Sequence, residues 1–173
     1  CSFTAWLETI RSYRQQAKEP GTKKDASAQI DPAAFVRCLS KRMEKDAVYV
    51  ADVGQNQIWS CRNCIIREGM FLTSGGMMEL ASMRQHGVAA KIVVISNHYL
   101  GMVREYQQNT YGGRYSVVEL SGSPDLEKLS EAYGMDYIRL ENPADMQRAV
   151  DAFLQDDKAV LMECVIDPMD TVK

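Results

Sequence analysis

The stretch at residues 89–97, AAKIVVISN, carries the strongest strand pattern in the chain. Its four consecutive β-branched residues, 92–95, predict a strand that is buried on both faces. A polar run, NHYLG (97–101), follows directly and leads into a helical pattern, LGMVREYQQN (100–109). Because strands of this kind occur in parallel sheets whose faces are covered by helices, the stretch predicts an α/β fold.

The same alternation of short apolar runs and helical patterns extends to both sides. The further predicted strands are residues 47–52, 69–74, 135–141 and 158–168. The further predicted helices are residues 30–46, 56–67, 78–87, 123–134 and 142–157. Several predicted helices have recognisable end residues. Asp31-Pro32 and Asn142-Pro143 are typical of helix N-termini, and Gly134 is typical of a helix C-terminus. The chain therefore predicts a parallel sheet with helices on both faces.

The N-terminal part reads as a separate unit. Residues 3–18 have helical apolar spacing, and residues 19–29, EPGTKKDASAQ, read as a linker. We expect residues 30–173 to form the main domain and residues 1–18 to be the tail of a preceding domain. The first residue is Cys1 and not methionine, so we expect the chain to be a piece of a longer protein.

Composition excludes some classes of function. A net charge of −3 and a pI of about 5.5 argue against nucleic-acid binding. No apolar run approaches the roughly 20 residues that span a bilayer, so we expect no membrane contact. The five cysteines are odd in number and irregularly spaced, which favours a reducing, cytoplasmic location. Cys61 and Cys64 form a CxxC without a second pair, so we interpret them as ordinary helix cysteines and not as a redox or zinc motif.

Ligands of parallel sheets bind at the carboxyl ends of the strands, so the loops after each strand are the candidate sites. In the first loop, Gly54, Gln55 and Asn56 could form a neutral anion site at a helix N-terminus, or simply a turn with Asn56 as cap. In the loop after residue 96, Asn97 could ligate Mg²⁺ or cap the next helix. His98 is more typical of a packing residue than of a catalyst.

Four segments together resemble a known family. These are DVGQNQIW (52–59), FLTSGG (71–76), MELASMRQHGVAAKIVVISNHYLGMVREYQ (78–107) and ECVIDP (163–168). They resemble the C-terminal, thiamine-diphosphate-binding domain of the acetolactate synthase (acetohydroxyacid synthase) catalytic large subunit. The resemblance runs from about residue 30 to the C-terminus, and residues 1–18 resemble the tail of the family's central domain.

The resemblance implies a transferase that uses thiamine diphosphate and Mg²⁺. Such enzymes decarboxylate pyruvate, release CO2, and join the remaining two-carbon unit to pyruvate or 2-oxobutyrate. This is the first step of branched-chain amino-acid biosynthesis, toward isoleucine and valine. The full-length family members are expected to hold FAD outside this domain, to form homodimers or homotetramers, and in some cases to bind a small regulatory subunit.

The resemblance also implies roles for individual residues. The implied cofactor-binding residues are Gly54, Gln55 and Asn56 at the diphosphate, Ile58 beneath the bent cofactor, Gly76 near its aminopyrimidine, and Leu100, Gly101 and Met102 along the channel. The implied metal ligands are the Asn97 side chain and the Tyr99 carbonyl. The implied substrate pocket contains Met102, Val103 and Tyr106, where Tyr106 replaces a common Trp and leaves acceptor preference open.

No catalytic residue is expected in this chain, because the family's activating glutamate comes from the N-terminal domain of a partner subunit. The family's Gly-Asp-Gly metal motif is also absent, together with the helix and strand that normally stand between TSGG and MELASMRQH. The fold therefore apparently lacks a central strand–helix segment near residue 77. The chain alone is expected to be inactive and without bound cofactor.

Three explanations of the missing segment are open: the protein contains a mobile segment that this sequence omits, the gene carries a deletion, or the chain is a degenerate relative. We favour the first, because helix caps and strand patterns elsewhere are intact and loss of a central strand would exceed the stability of most domains. It predicts a chain break near residues 76–79. The alternative functions are a non-catalytic α/β binding or assembly module, and another thiamine-diphosphate carboligase or decarboxylase.

Overall fold

The structure is a computed structural model that describes residues 3–16, 29–74 and 79–172. Its helices are α1 (Phe3–Gln16), α2 (Pro32–Arg42), α3 (Gln55–Asn63), α4 (Leu80–Gln85), α5 (Gly101–Tyr111), α6 (Leu126–Tyr133) and α7 (Met146–Leu154). Its strands are β1 (Val48–Ala51), β2 (Met70–Thr73), β3 (Lys91–Ser96), β4 (Asp136–Leu140) and β5 (Val160–Val165). Every strand predicted from the sequence is present, with shorter bounds. The expected chain break and the linker at 19–28 lie outside the described residues.

The helix ends follow the local sequence signals. Asp31 caps α2 by accepting a hydrogen bond from the amide of Ala33 at 2.9 Å. Asn142 likewise accepts from Ala144 at 2.9 Å, and a short 3₁₀ turn over Pro143–Asp145 leads into α7. Gly134 ends α6 in the left-handed conformation, with φ of 68°, which glycine adopts without steric cost. These ends confirm the predictions made from Asp31-Pro32, Asn142-Pro143 and Gly134.

Several helices are shorter than predicted, and the early end of α3 changes the interpretation of the CxxC pair. The prediction extended this helix to residue 67, but α3 ends at Asn63. Cys61 lies in the helix, whereas Cys64 follows it in extended backbone with φ of −70° and ψ of 136°. The prediction that both are helix cysteines is therefore wrong for Cys64. Both thiols are free.

All strand pairs are parallel, as predicted, but they form two separate sheets. β1 pairs with β2, with Val48 opposite Met70. The second sheet has the order β3-β5-β4, with Lys91 and Asp136 both opposite Val160. Among the described residues no strand joins β1 to β3. The protein is thus α/β with parallel sheets flanked by helices, and its interruption fits the expected lack of one central strand.

The hydrophobic core lies on one face of the three-stranded sheet, beneath α2 and α7. Its buried side chains are Ile30, Phe35, Val36, Leu39, Trp59, Leu140, Val150, Phe153, Val160, Met162, Cys164 and Ile166. Alternate residues of β5 contribute to this cluster, as expected for a strand whose successive side chains point to opposite faces. Strand β5 lies between two neighbours, so its backbone and its core face are shielded from water.

The strand predicted at residues 89–97 is present as β3, but the prediction that it is buried on both faces is wrong. Every residue of β3 is only partly buried, whereas the first five residues of β5 are all buried. The reason is tertiary: β3 pairs with β5 along one edge, and within the described ranges no strand lies along the other. Helix α4, which precedes β3, has no buried residue and therefore covers little of it. An apolar sequence sets the capacity for burial, but neighbouring elements decide its extent.

Helix α1 confirms the helix predicted at residues 3–18 over most of its length. Its apolar side chains are largely in solvent, with Phe3 81% and Trp6 61% exposed. Its assignment to a preceding domain stays a prediction. None of the helices in the described ranges is long and apolar enough to cross a membrane.

Candidate functional site at the carboxyl ends of β1 and β3

The loops after β1 and β3 meet in space although their strands do not pair. Gln55, the first residue of α3, and Asn97, which follows β3, are both buried. The side-chain Nδ2 of Asn97 lies 3.4 Å from Oε1 of Gln55. The structure therefore brings together two residues that the sequence placed in the diphosphate loop and in the metal loop.

Gly54 shapes the first loop. It is the N-cap of α3 with φ of 132°, a conformation that side chains rarely adopt. A Cβ at this position would also lie 2.7 Å from Oδ1 of Asn56. Asn56 lies within α3, so the alternative reading of Asn56 as the helix cap is wrong. The N-cap residue Gly54 makes no side-chain cap bond at the start of this nine-residue helix, and helix N-termini are typical anion sites.

Gln55 is held by groups from two other parts of the chain. Its Nε2 donates to Oε2 of Glu105 at 2.8 Å and to the carbonyl of Asp170 at 3.2 Å. The same Glu105 oxygen accepts from the amide of Val172 at 3.1 Å. Helix α5 and the segment after β5 thus fix the Gln55 amide at the sheet edge. These bonds orient it and place a carboxylate beside it.

Asn97 organises its own loop. Its Oδ1 accepts from the amide of Tyr99 at 3.0 Å, a local turn that allows His98 to take a positive φ of 59°. The N-cap of α5 is Leu100, so the reading of Asn97 as the cap of this helix is wrong. Within the described ranges, no group of three His, Cys, Asp or Glu residues could hold a metal ion.

The polar groups at this site fit the diphosphate end of the implied cofactor better than they fit its Mg²⁺ ion. A glycine turn, uncapped helix amides and a buried amide side chain are neutral donors suited to a phosphate. Mg²⁺ requires hard oxygen ligands and is usually bound through one or two carboxylates. The described residues offer the Asn97 oxygen, already bonded to Tyr99, and among them no group of three His, Cys, Asp or Glu residues could hold a metal ion. The described part of the chain therefore holds half of a cofactor site.

Gly101 lies where Gln55 and Asn97 meet. A Cβ at Gly101 would overlap Oε1 of Gln55 and lie 2.9 Å from Nδ2 of Asn97. Its φ is not in the left-handed region, so the requirement for glycine here comes from close approach alone. The structure therefore places Gly101 in close contact with both Gln55 and Asn97.

The remaining predicted site residues are more dispersed. Ile58 is half-buried on α3. The residues predicted to line the channel and pocket on α5 are exposed to between 39% and 57%; they are Leu100, Met102, Val103 and Tyr106. Tyr106 packs edge-on against Tyr111 with ring centroids 5.9 Å apart. These side chains form an open apolar surface and not a closed pocket. Gly76 lies outside the described residues.

The structure adds three polar residues that the sequence did not single out. Arg104 is 2% exposed, donates to the Asp170 carbonyl at 3.3 Å, and lies over the ring of Tyr99 with 5.9 Å to its centroid. Its Nε has no hydrogen-bond partner among the residues that the structure describes. Glu105 and Asp170 hold Gln55 as described. Glu105 is four residues after Gly101 and so shares its helix face, the one local signal that could have indicated it.

A comparison with protein families agrees with this arrangement. Residues 63–164 match a family model described as the thiamine pyrophosphate enzyme, C-terminal TPP binding domain, in which TPP is thiamine diphosphate. The match covers more than half of the chain. It includes β3, the Asn97 loop and α5.

Curated relatives extend the similarity to nearly the whole chain. The acetolactate synthase large subunit of Lactococcus lactis is 28% identical over 98% of this chain and 35% of its own length. The large subunit of Pyropia yezoensis is 28% identical over 94% of this chain and 33% of its own length. That of Porphyra purpurea is 27% identical over the same shares. The chain therefore spans about a third of the length of these relatives.

The alignments are longer than the chain itself. They run over 206 residues for the Lactococcus protein and 198 for the Pyropia protein, whereas this chain has 173. Each relative must therefore contain residues that have no counterpart here. Together, the parallel α/β fold, the glycine loop beside Asn97 and the family match place this chain among the C-terminal thiamine-diphosphate-binding domains of the thiamine-diphosphate enzymes.

Proposed function

We propose that the protein is the cofactor-binding part of an acetolactate synthase. In this proposal the enzyme uses thiamine diphosphate and Mg²⁺ to release CO2 from pyruvate and to join the product to pyruvate or 2-oxobutyrate. The observation that supports it most directly is the meeting of Gln55 and Asn97 at the carboxyl ends of β1 and β3. Parallel α/β domains bind ligands at this edge.

The proposal assigns a binding role to each of the two loops. Gly54 and the first amides of α3 contact the diphosphate, and the Gln55 amide donates to it once Glu105 is displaced or neutralised. Asn97 and the Tyr99 carbonyl would supply two oxygens to Mg²⁺, and a carboxylate ligand would come from another part of the full-length protein. The exposed apolar surface of α5, with Met102, Val103 and Tyr106, faces the substrates.

The whole enzyme requires more than this chain. The proposed active form is a homodimer or homotetramer of the full-length protein in the cytoplasm, with FAD bound in another domain and a possible small regulatory subunit. A glutamate from the partner subunit's N-terminal domain would activate the cofactor. Thiamine diphosphate supplies the electron sink, so the role of this chain is to bind and orient it.

Thermal unfolding of the full-length protein tests cofactor binding. Thiamine diphosphate with Mg²⁺ at about 100 times its Kd should stabilise the folded state by about 2.7 kcal/mol. Asn97→Ala should abolish most of the shift, whereas Asn109→Ala, on the exposed end of α5, should leave it intact. The absence of a shift in the unmodified protein would contradict the proposal.

The product assay separates the proposed reaction from its rivals. Feeding pyruvate and measuring acetoin after acid decarboxylation should give a colour that depends on added thiamine diphosphate. Cofactor binding without acetoin would favour another thiamine-diphosphate carboligase or decarboxylase. Failure to bind cofactor would favour a non-catalytic α/β module, in line with the absence of a metal-binding cluster among the described residues.

A further inference from the structure

The CxxC pair lies at the C-terminal end of α3, where the chain leaves the helix. Cys61 is in the last turn and is exposed, whereas Cys64 is the C-cap residue and is half-buried. The Cys64 amide donates to the carbonyl of Ser60 at 2.9 Å, so one helical turn closes across the pair. Residues three apart in such a turn have Cα atoms about 5 Å apart, and disulfides join Cα atoms that are about 4.4–6.8 Å apart. The backbone therefore holds the two free cysteines within disulfide range.

The end of the helix allows the side chains to approach further. Inside a helix, Cβ atoms three residues apart are separated by about 5–6 Å, more than the roughly 3.5–4.5 Å of a disulfide. Cys64 is already in extended backbone, so a rotation there disturbs one helix bond, from its own amide to Ser60. Asn63 anchors the helix just before it: its Nδ2 donates to the Trp59 carbonyl at 2.8 Å, and its Oδ1 accepts from Arg37. The adjustment thus falls on Cys64, beyond the anchored end of α3.

The two thiols have different surroundings. The Cys61 thiol is exposed, so a reagent in solution can reach it. Cys64 packs against the hydrophobic core. Burial raises the pKa of Cys64 to about 11, although a hydrogen bond with Ser40 acts in the opposite direction, and Cys61 is close enough to add to the rise. Because the reactivity of cysteine follows exposure and thiolate character, Cys61 reacts first with a dissolved reagent and Cys64 reacts second.

We propose that Cys61 and Cys64 form a reversible thiol–disulfide exchange site whose substrate is a small soluble disulfide of the glutathione class. The Cys61 sulfur attacks one sulfur of the reagent and forms a mixed disulfide, and the other half leaves as a thiol with the Cys61 proton. The Cys64 sulfur then attacks the Cys61 sulfur, and the second half leaves as a thiol with the Cys64 proton. The pair is oxidised by two electrons, and the reagent is reduced by two.

The product disulfide should be easily reduced. It closes only the short loop from Cys61 to Cys64, so it constrains the unfolded chain little. Its formation also turns Cys64 from the core toward the exposed Cys61. Strained or exposed disulfides are typically the labile and regulatory ones. The site therefore responds to the thiol–disulfide balance around the protein, and this chemistry is independent of the proposed function.

Peptide mapping of the full-length protein tests the pair directly. The protein is treated with oxidised glutathione, its remaining thiols are blocked with iodoacetamide, and it is digested with trypsin. Trypsin cleaves after Arg62, between the two cysteines, so a Cys61–Cys64 disulfide joins peptide 46–62 to peptide 63–67. We expect the joined peptides as the main product and their separation by dithiothreitol. A stable glutathione adduct on Cys61 without joined peptides would overturn the proposal.

Single cysteine variants separate the two roles. Cys64→Ser should stop at the glutathione adduct of Cys61, and Cys61→Ser should slow the modification of Cys64 at least tenfold. Cys38→Ser is the matched control, because Cys38 is another half-buried thiol, and it should leave the joined peptides unchanged. Circular dichroism of each variant excludes unfolding as the cause. Equally fast modification of Cys64 in Cys61→Ser would overturn the proposed order of attack.

Equilibrium with glutathione gives a readout that needs no substitution. An internal disulfide releases two molecules of reduced glutathione, whereas an adduct on Cys61 releases one. Tenfold dilution of a glutathione buffer, at a fixed ratio of its oxidised and reduced forms, should therefore raise the ratio of disulfide to dithiol about tenfold. An unchanged ratio would show a simple adduct and would overturn the proposal.

Discussion

Gly101 lies so close to Gln55 that a Cβ on Gly101 would overlap the side-chain oxygen of Gln55. Gln55 comes from the start of α3 and Gly101 from the start of α5, so this contact joins the loops after β1 and β3. Gln55 is buried and bonded to Glu105, so it cannot move aside without losing that bond. The glycine is therefore required by packing and not by backbone conformation.

Gly101→Ala should lower the free energy of unfolding by about 1–3 kcal/mol, the usual cost of overpacking a filled site. Urea unfolding of the 173-residue chain measures it. Gly122→Ala is the matched control, because a Cβ there would meet open space, and its effect should stay within about 0.5 kcal/mol. In a Gln55→Ala background the cost of Gly101→Ala should largely disappear. An equal cost in both backgrounds would contradict the overlap with Gln55.

Glu105→Gln should strengthen binding of a phosphate at the Gln55 loop. The Glu105 carboxylate lies 2.8 Å from the Gln55 amide and would repel an anion there. Removing this charge should tighten binding of inorganic pyrophosphate about fivefold at low salt, about 1 kcal/mol, with a smaller gain at high salt. Isothermal titration calorimetry measures the affinity. Glu131→Gln, an exposed carboxylate on α6, is the control, and an equal gain from it would point to net charge instead.

The Glu163 carboxylate should make Arg139 costly to remove. Glu163 is 5% exposed on β5, and its Oε2 accepts from Arg139 at 2.6 Å and from the Tyr137 hydroxyl at 2.5 Å. Arg139→Ala leaves a buried charge with one neutral partner and should lower the free energy of unfolding by about 3 kcal/mol. Glu163→Leu removes the buried carboxylate and leaves Arg139, which is half-exposed and can be hydrated. This substitution should therefore lower the free energy of unfolding clearly less than Arg139→Ala does. The reverse order in urea unfolding would contradict this assignment.

The free energy of unfolding should fall at alkaline pH because the Cys164 thiol is buried. Burial raises the pKa of Cys164 from 9.0 to about 12. Above pH 9 the unfolded chain loses this proton while the folded chain keeps it, so the stabilising contribution is lost as the pH rises from about 9 to 12. The limiting slope is about 1.4 kcal/mol per pH unit. Urea unfolding at pH 8 and pH 10.5 should show this loss, and Cys164→Ala should reduce it.

Cys61 is the matched comparison for labelling, because it is exposed in α3 whereas Cys164 is buried. Reaction with an aromatic disulfide at pH 8 gives a second readout, in which Cys61 should react in the folded chain and Cys164 only after unfolding. Rapid labelling of Cys164 in the native protein would contradict its burial.

The sequence by itself determined the elements and several of their ends. Asp31, Asn142 and Gly134 act within a few residues of themselves, through caps and a left-handed turn, so their effects can be predicted locally. Apolar runs at strand length, separated by helices, were sufficient to predict a parallel α/β domain. The same local patterns placed Gly54 and Asn97 at the ends of strands.

Only the tertiary structure decided what those residues meet. Glu105 lies 50 residues from Gln55 in sequence, and no local pattern links them. Residues 92–95 and 160–162 are similarly apolar, yet β5 is buried and β3 only partly so, because in the described part of the chain β5 has a strand on each side and β3 on one side. Burial and hydrogen-bond partners depend on which elements become neighbours, and this is set by the packing of the whole chain.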